Sequence, residues 1–156
     1  MILDAHGVRI ELPAGWSGHL FERDRVVGLH AANYPVTLDD TATFGDASTA
    51  SMRAGSAFVA LVEYRPGDGL EPGRGLYAPR RIALPLDPTG FSAHRLAHPR
   101  PGQAGTQQFF TTAGRPFCVY VVLAGDGLAR RRPLAVVNHL LRSLEISPRQ
   151  MGDSAA

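Results

Sequence analysis

Residues 57–64 (AFVALVEY) and 115–123 (RPFCVYVVL) are apolar at even and odd positions alike, and Glu63 is the one acid in the first run. Alternating polarity marks a strand with one wet face, whereas unbroken apolarity over so short a run marks a strand covered on both. A chain with two such strands must roof both sides of a sheet. Helices are the usual roof, and this sequence offers few. Leu134, Val137, Leu141 and Leu144 recur at spacings of three and four, with Leu140 widening the stripe. Pro133 suits the first helical position and Pro148 lies beyond the end. A second, short helix is expected from Asp46 through Arg53, with Gly55 just past it. A helix of about 13 residues is roughly 20 Å long and 10 Å wide, whereas about six strands span roughly 25–30 Å. Something else must therefore finish the cover: the Pro- and Gly-rich stretch 65–105, an unread helix, or another protein. An apolar face left open would be an interaction site.

The remaining pattern is that of a strand-rich domain. Val8, Ile10 and Leu12 alternate with Arg9 and Glu11 until Pro13-Ala14-Gly15, and Trp16 follows. Further strands are expected at 19–23 and 26–34 about the turn Asp24-Arg25, around 81–86, and at 106–112. The last joins 115–123 through Ala113-Gly114. Pro116 must sit near a strand start or on a bulge. The stretch 41–44 is ambiguous, and 149–156 reads as a frayed tail. With no repeat or internal boundary, 1–148 is expected to form one domain, in keeping with 156 residues of 44% hydrophobic content.

Charge and cysteine usage exclude several classes. All sixteen basic residues are arginine against fourteen acids, a formal charge of +2. The arginines are scattered among acids, whereas a duplex-binding domain gathers its excess on one face, so nucleic acid is not an expected partner. No run approaches the roughly 18 apolar residues of a membrane span. Cys118, alone, can form no internal disulfide. Met1-Ile2-Leu3-Asp4-Ala5-His6 has neither the basic region nor the apolar run of an export signal, and no early cysteine for lipid attachment. The expected location is the cytoplasm.

Two segments carry a family likeness. Val8-Arg9-Ile10-Glu11-Leu12-Pro13-Ala14-Gly15-Trp16 resembles the opening strand and Pro-x-Gly-Trp-like turn of the PsbP-like fold family. The stretch from Val137 to Ile146, with its Ser143-Leu144 pair, resembles that family's closing helix. The resemblance implies an α+β fold, an antiparallel sheet flanked by helices in an α/β/α sandwich. It also implies a binding or accessory role, since members include photosystem subunits, a Ran-binding protein and bacterial lipoproteins. No catalytic residue set carries over from it.

Among residues that could do chemistry, Arg130, Arg131 and Arg132 precede Pro133 at the expected helix start. Cations there oppose the helix dipole, and an acidic or phosphate partner would offset the cost; a solvated charge run is the plain alternative. Glu63, if buried, needs a partner; exposure at a strand end beside Arg65 is the simpler account. Cys118, between Phe117 and Val119, reads as an inert core thiol and Trp16 as a core anchor. His94 and His98 have the spacing of two metal ligands on a helix, but Pro99 and Pro101 shorten any helix there and no acid or cysteine is near in sequence, so they read as surface residues. His139 falls off the apolar stripe. The expected function is a non-enzymatic accessory or adaptor protein acting through protein contacts, with a homodimer as one form, and with no cofactor, metal or catalytic set. The alternative is a small-molecule binder or enzyme whose pocket, between the sheet and 65–105, gathers Glu63, His30 and Arg115.

Overall fold

The computed structural model of the chain describes residues 1–38, 40, 43–67 and 69–149. Within them the fold is α+β. Strands β1 (Ile2–Ala5), β2 (Val8–Glu11) and β8 (Glu145–Ile146) make a small antiparallel sheet. A larger one is formed by β3 (Ser17–Arg23), β4 (Val26–Ala32), β5 (Ala57–Glu63), β6 (Gln103–Thr112) and β7 (Arg115–Ala124), in the order β3-β4-β5-β7-β6, all antiparallel. Helix α1 is Asp46–Thr49 and α2 is Gly127–Arg142. Among the described residues no helix is long and apolar enough to cross a membrane.

β5 and β7 are central and buried at every position. Their register sorts side chains into two layers. Val59 opposite Val121 and Leu61 opposite Val119 face one way; Phe58 opposite Val122 and Ala60 opposite Tyr120 face the other. On the first face lie α2, through Leu134, Val137, Leu140 and Leu141, the small sheet through Val8 and Ile10, and Ile82, Leu86 and Phe91. The second carries only the four residues of α1 and irregular chain, with Tyr34, Val36, Phe44, Met52 and Leu96 packed on it.

The missing helical cover is thus made good by the protein's own chain. Irregular cover works because side chains satisfy its backbone. The Tyr34 hydroxyl donates to the Ser48 carbonyl at 2.7 Å, the Ser48 amide to Asp40 at 2.9 Å, and the Gln103 amide to the Thr49 carbonyl at 2.7 Å. Gly45 allows the close approach: its φ is +69°, and a Cβ would meet the Phe58 ring at 2.2 Å. No open apolar sheet face remains among the described residues; the large exposed apolar side chains are Met1, Ile2, Leu38, Leu76 and Leu128.

Other expectations are corrected here. No strand forms at 81–86. That segment lies along the outer edge of β6, bonded to its side chains: the Ala83 amide donates to Gln108 at 2.8 Å, and Thr112 donates to the Arg80 carbonyl at 2.8 Å. Asn138 of α2 anchors its end, accepting from the Leu86 amide at 2.7 Å. Helix α1 stops at Thr49, not Arg53, because Gln103 takes the Thr49 carbonyl and Ser56 accepts the Arg53 amide. α2 begins at Gly127, so Pro133 lies inside it; its first bond runs from the Arg130 amide to the Asp126 carbonyl at 3.1 Å. β1 and β8, of four and two residues, are too short to show a strand period in the sequence. Part of 41–44 and nearly all of 149–156 lie outside the described residues; Arg149, where the tail was expected to begin, is ordered by a bond to Glu63.

Candidate functional site

Glu63 and Arg115 end two facing rows on the α2 side of the large sheet, Glu63 opposite Phe117 and Arg115 two residues before it. Contrary to the strand-end reading, Glu63 is buried, its side chain 1% exposed and that of Arg115 3%. Arg115 Nε donates to Glu63 Oε2 at 2.8 Å and Nη2 to Oε1 at 3.1 Å, a bidentate fork. Oε1 also accepts from the Val27 amide at 3.0 Å and from Arg149 at 2.5 Å. Arg115 Nη1 donates to the His6 and Ser147 carbonyls at 3.1 and 3.0 Å, and its guanidinium lies over the Phe117 ring. Four of the five N–H groups of the guanidinium are used. This is a clasp between the two sheets. A cleft of about 440 Å³ lies beside it, also lined by Arg25, Tyr64 and Pro116, but the two charges are spent mainly on each other and on internal partners.

His30 sits on the opposite face, wholly buried, edge-on to Phe21 and Phe58 at 5.1 and 5.3 Å, with His19 at 5.8 Å. Its Nε2 donates to the Thr43 carbonyl at 3.1 Å, which leaves Nδ1 an acceptor with no donor among the described residues. Burial pushes the imidazole pKa down, against smaller raising effects of the Thr43 carbonyl and Asp40; His19 and Arg23 lower it further. The pocket expected to join Glu63, Arg115 and His30 therefore does not form, since the third lies across the sheet.

A pH dependence follows. The folded state holds His30 neutral below its unfolded value of 6.5, so the unfolded chain takes up the proton first. Stability is full above pH 6.5 and falls as pH drops from there toward the depressed folded value. His19, whose pKa burial also lowers, adds in the same sense. Urea titrations between about pH 5 and 7.5 are expected to show this slope and His30→Phe to reduce it; an equal slope in the variant would refute the assignment.

The three arginines part company. Arg130 turns back, donating from Nε to the Gly125 carbonyl at 2.6 Å. Arg131 and Arg132 are exposed and border a groove of about 580 Å³ with Trp16, Leu128, Pro133 and Val136. Trp16 packs on the core but is only half-buried. Cys118 is fully buried and its thiol pKa is pushed up to about 12 by desolvation, an inert core sulfur. His94 and His139 are exposed, and His98 lies 3.6 Å from Asp46. No cluster of three potential metal ligands occurs among the described residues. The chain matches no protein-family model, no curated protein and no solved structure.

Proposed function

We propose that this protein is a non-enzymatic accessory or adaptor protein. It docks an acidic segment of a protein partner, anchored by an apolar side chain, in the groove between Trp16 and the first half of α2. The observation that carries this reading is the groove's make-up. Leu128 is 77% exposed, beside Trp16, Pro133 and Val136, and the rim carries Arg131 and Arg132 with no acid in the lining. Neither arginine has a side-chain partner among the described residues. An aromatic and aliphatic floor with a cationic rim is the composition of a protein-binding patch. A second copy of this chain is the poorer occupant, because a two-fold contact through the groove sets Arg131 and Arg132 against their own copies. The PsbP-like resemblance supports the same reading; under it α2 and α1 stand for the two helical layers of the sandwich.

Trp16 is the sole tryptophan and reports on the groove. A Glu-Leu-Glu-Phe-Glu peptide is expected to shift its emission saturably, an Arg-Leu-Arg-Phe-Arg peptide not at all. Arg131→Glu with Arg132→Glu should weaken the acidic peptide by about tenfold or more, from loss of attraction and added repulsion. Emission indifferent to the acidic peptide, or equal binding by the charge-reversed protein, would overturn the proposal.

A further inference from the structure

We infer that a second cleft, at the far end of α2, binds a small amphipathic anion: an alkyl chain ending in a carboxylate, held by Arg80, Arg81 and Arg142. The inference is independent of the Trp16 groove. The cleft is about 870 Å³ and opens between the 79–84 segment, β6, the last residues of α2 and β8. That size falls among small-molecule sites, roughly 300–1,000 Å³. Its floor is apolar: Ile82, Phe110 and Leu141 are buried, while Leu84, Leu144 and Ile146 are half-buried and have surface left to cover.

The charge around that floor is one-sided. Arg80, Arg81 and Arg142 are exposed, no acid lines the cleft, and none of the three side chains has a partner among the described residues. Three arginines elsewhere on the surface are matched by acids, Arg9 with Asp4 at 3.1 Å, Arg74 with Glu71 at 3.1 Å and Arg100 with Asp46 at 2.6 Å. Three like charges around one cleft repel, and an anion relieves them. A guanidinium fork suits a carboxylate head in particular.

The backbone of the wall decides what the body of the ligand is. An added peptide strand needs an unbroken row of free amides and carbonyls, and the row along 79–83 is interrupted at 79, 80 and 83. Pro79 O accepts from the Thr111 amide at 2.8 Å and Arg80 O from the Thr112 hydroxyl at 2.8 Å. The Ala83 amide and carbonyl are both held by the Gln108 side chain, at 2.8 and 3.1 Å. Thr112 is the one uncharged polar side chain in the lining and is thereby committed. A peptide would strand its own polar groups on this floor; a hydrocarbon chain has none to strand.

The test is calorimetric titration of the full chain with octanoate, decanoate and dodecanoate below their micelle concentrations, with acetate and octanol as controls. Affinity is expected to rise about fourfold per methylene, with acetate silent and octanol at least about tenfold weaker than octanoate, from loss of a charge-assisted contact. Arg80→Gln/Arg81→Gln/Arg142→Gln, all at exposed positions, should weaken decanoate by about tenfold or more. Amide shifts in the native protein should cluster at 80–84 and 141–146 while Trp16 emission stays unchanged. Absence of saturable decanoate binding, unaltered affinity in the triple variant, or shifts centred on Trp16 would each sink the inference. None of those results bears on the acidic-peptide experiment, so the two proposals fail separately.

Discussion

Arg115→Met is expected to lower the unfolding free energy by about 3–5 kcal/mol, because it leaves the buried Glu63 carboxylate short of its charge partner. Oε2 loses its donor outright; Oε1 keeps the Val27 amide and Arg149, whose side chain is 30% exposed and a poorer substitute. The His6 and Ser147 carbonyls lose their donor too. The hinge between the β1–β2 hairpin and β8 should therefore open before the large sheet does, and amide exchange should show it. Combining Glu63→Gln with Arg115→Met should recover part of the loss, since a neutral amide still accepts from Val27 and strands no charge. The check is the urea midpoint at constant m. A loss below about 1 kcal/mol, the range of an exposed pair, would mean that the clasp is solvated in solution.

Phe58→Ala is expected to cost about 3–5 kcal/mol, the sum of lost burial and an unfilled cavity. Phe58 is the floor on which the irregular cover of the second face rests: Gly45 lies on its ring and His30 meets it edge-on. Gly45→Ala alone should also destabilise, since it places a methyl into that ring at a φ of +69°. In the Phe58→Ala background only the backbone cost, about 1–2 kcal/mol, should remain. The two substitutions are thus expected to be non-additive in urea unfolding. Strict additivity would show that the 43–52 cover is not seated on Phe58.

Much of the architecture was legible because it is written at short range. Unbroken apolarity at 57–63 and 115–123 put β5 and β7 at the centre. The stripe at Leu134, Val137, Leu141 and Leu144, with Leu140, identified α2, although the helix ends at Arg142, short of Leu144, and Cys118 was recognisable as core from its neighbours. Positive φ at Ala113 and Gly114 matches the expected hairpin turn. The site was less legible. Glu63 was read against Arg65, its near neighbour, whereas its partners Arg115 and Arg149 lie 52 and 86 residues away. One signal could have joined the first pair: each of the two central apolar runs holds a single ionic residue near an end, and antiparallel pairing brings those ends together. Arg149 gave no such signal. At 81–86 the apolar residues were real, but their backbone bonds go to the Gln108 and Asn138 side chains rather than to a strand.

From the amino-acid order alone came a strand-rich chain with a doubly buried sheet and too little helix to roof it, since periodicity and turn chemistry are properties of neighbouring residues. What roofs that sheet, and which charges are spent inside it, were settled only by the tertiary fold. The cover at 34–38, 43–52 and 77–96 is held by single side-chain bonds between residues far apart in the chain. Such bonds leave no period to read. The same holds for the arginines: Arg115 is consumed in a buried clasp while Arg80, Arg81 and Arg142 have no partner among the described residues and share one cleft, a division set by distance in space, on which the strength of a charge interaction depends.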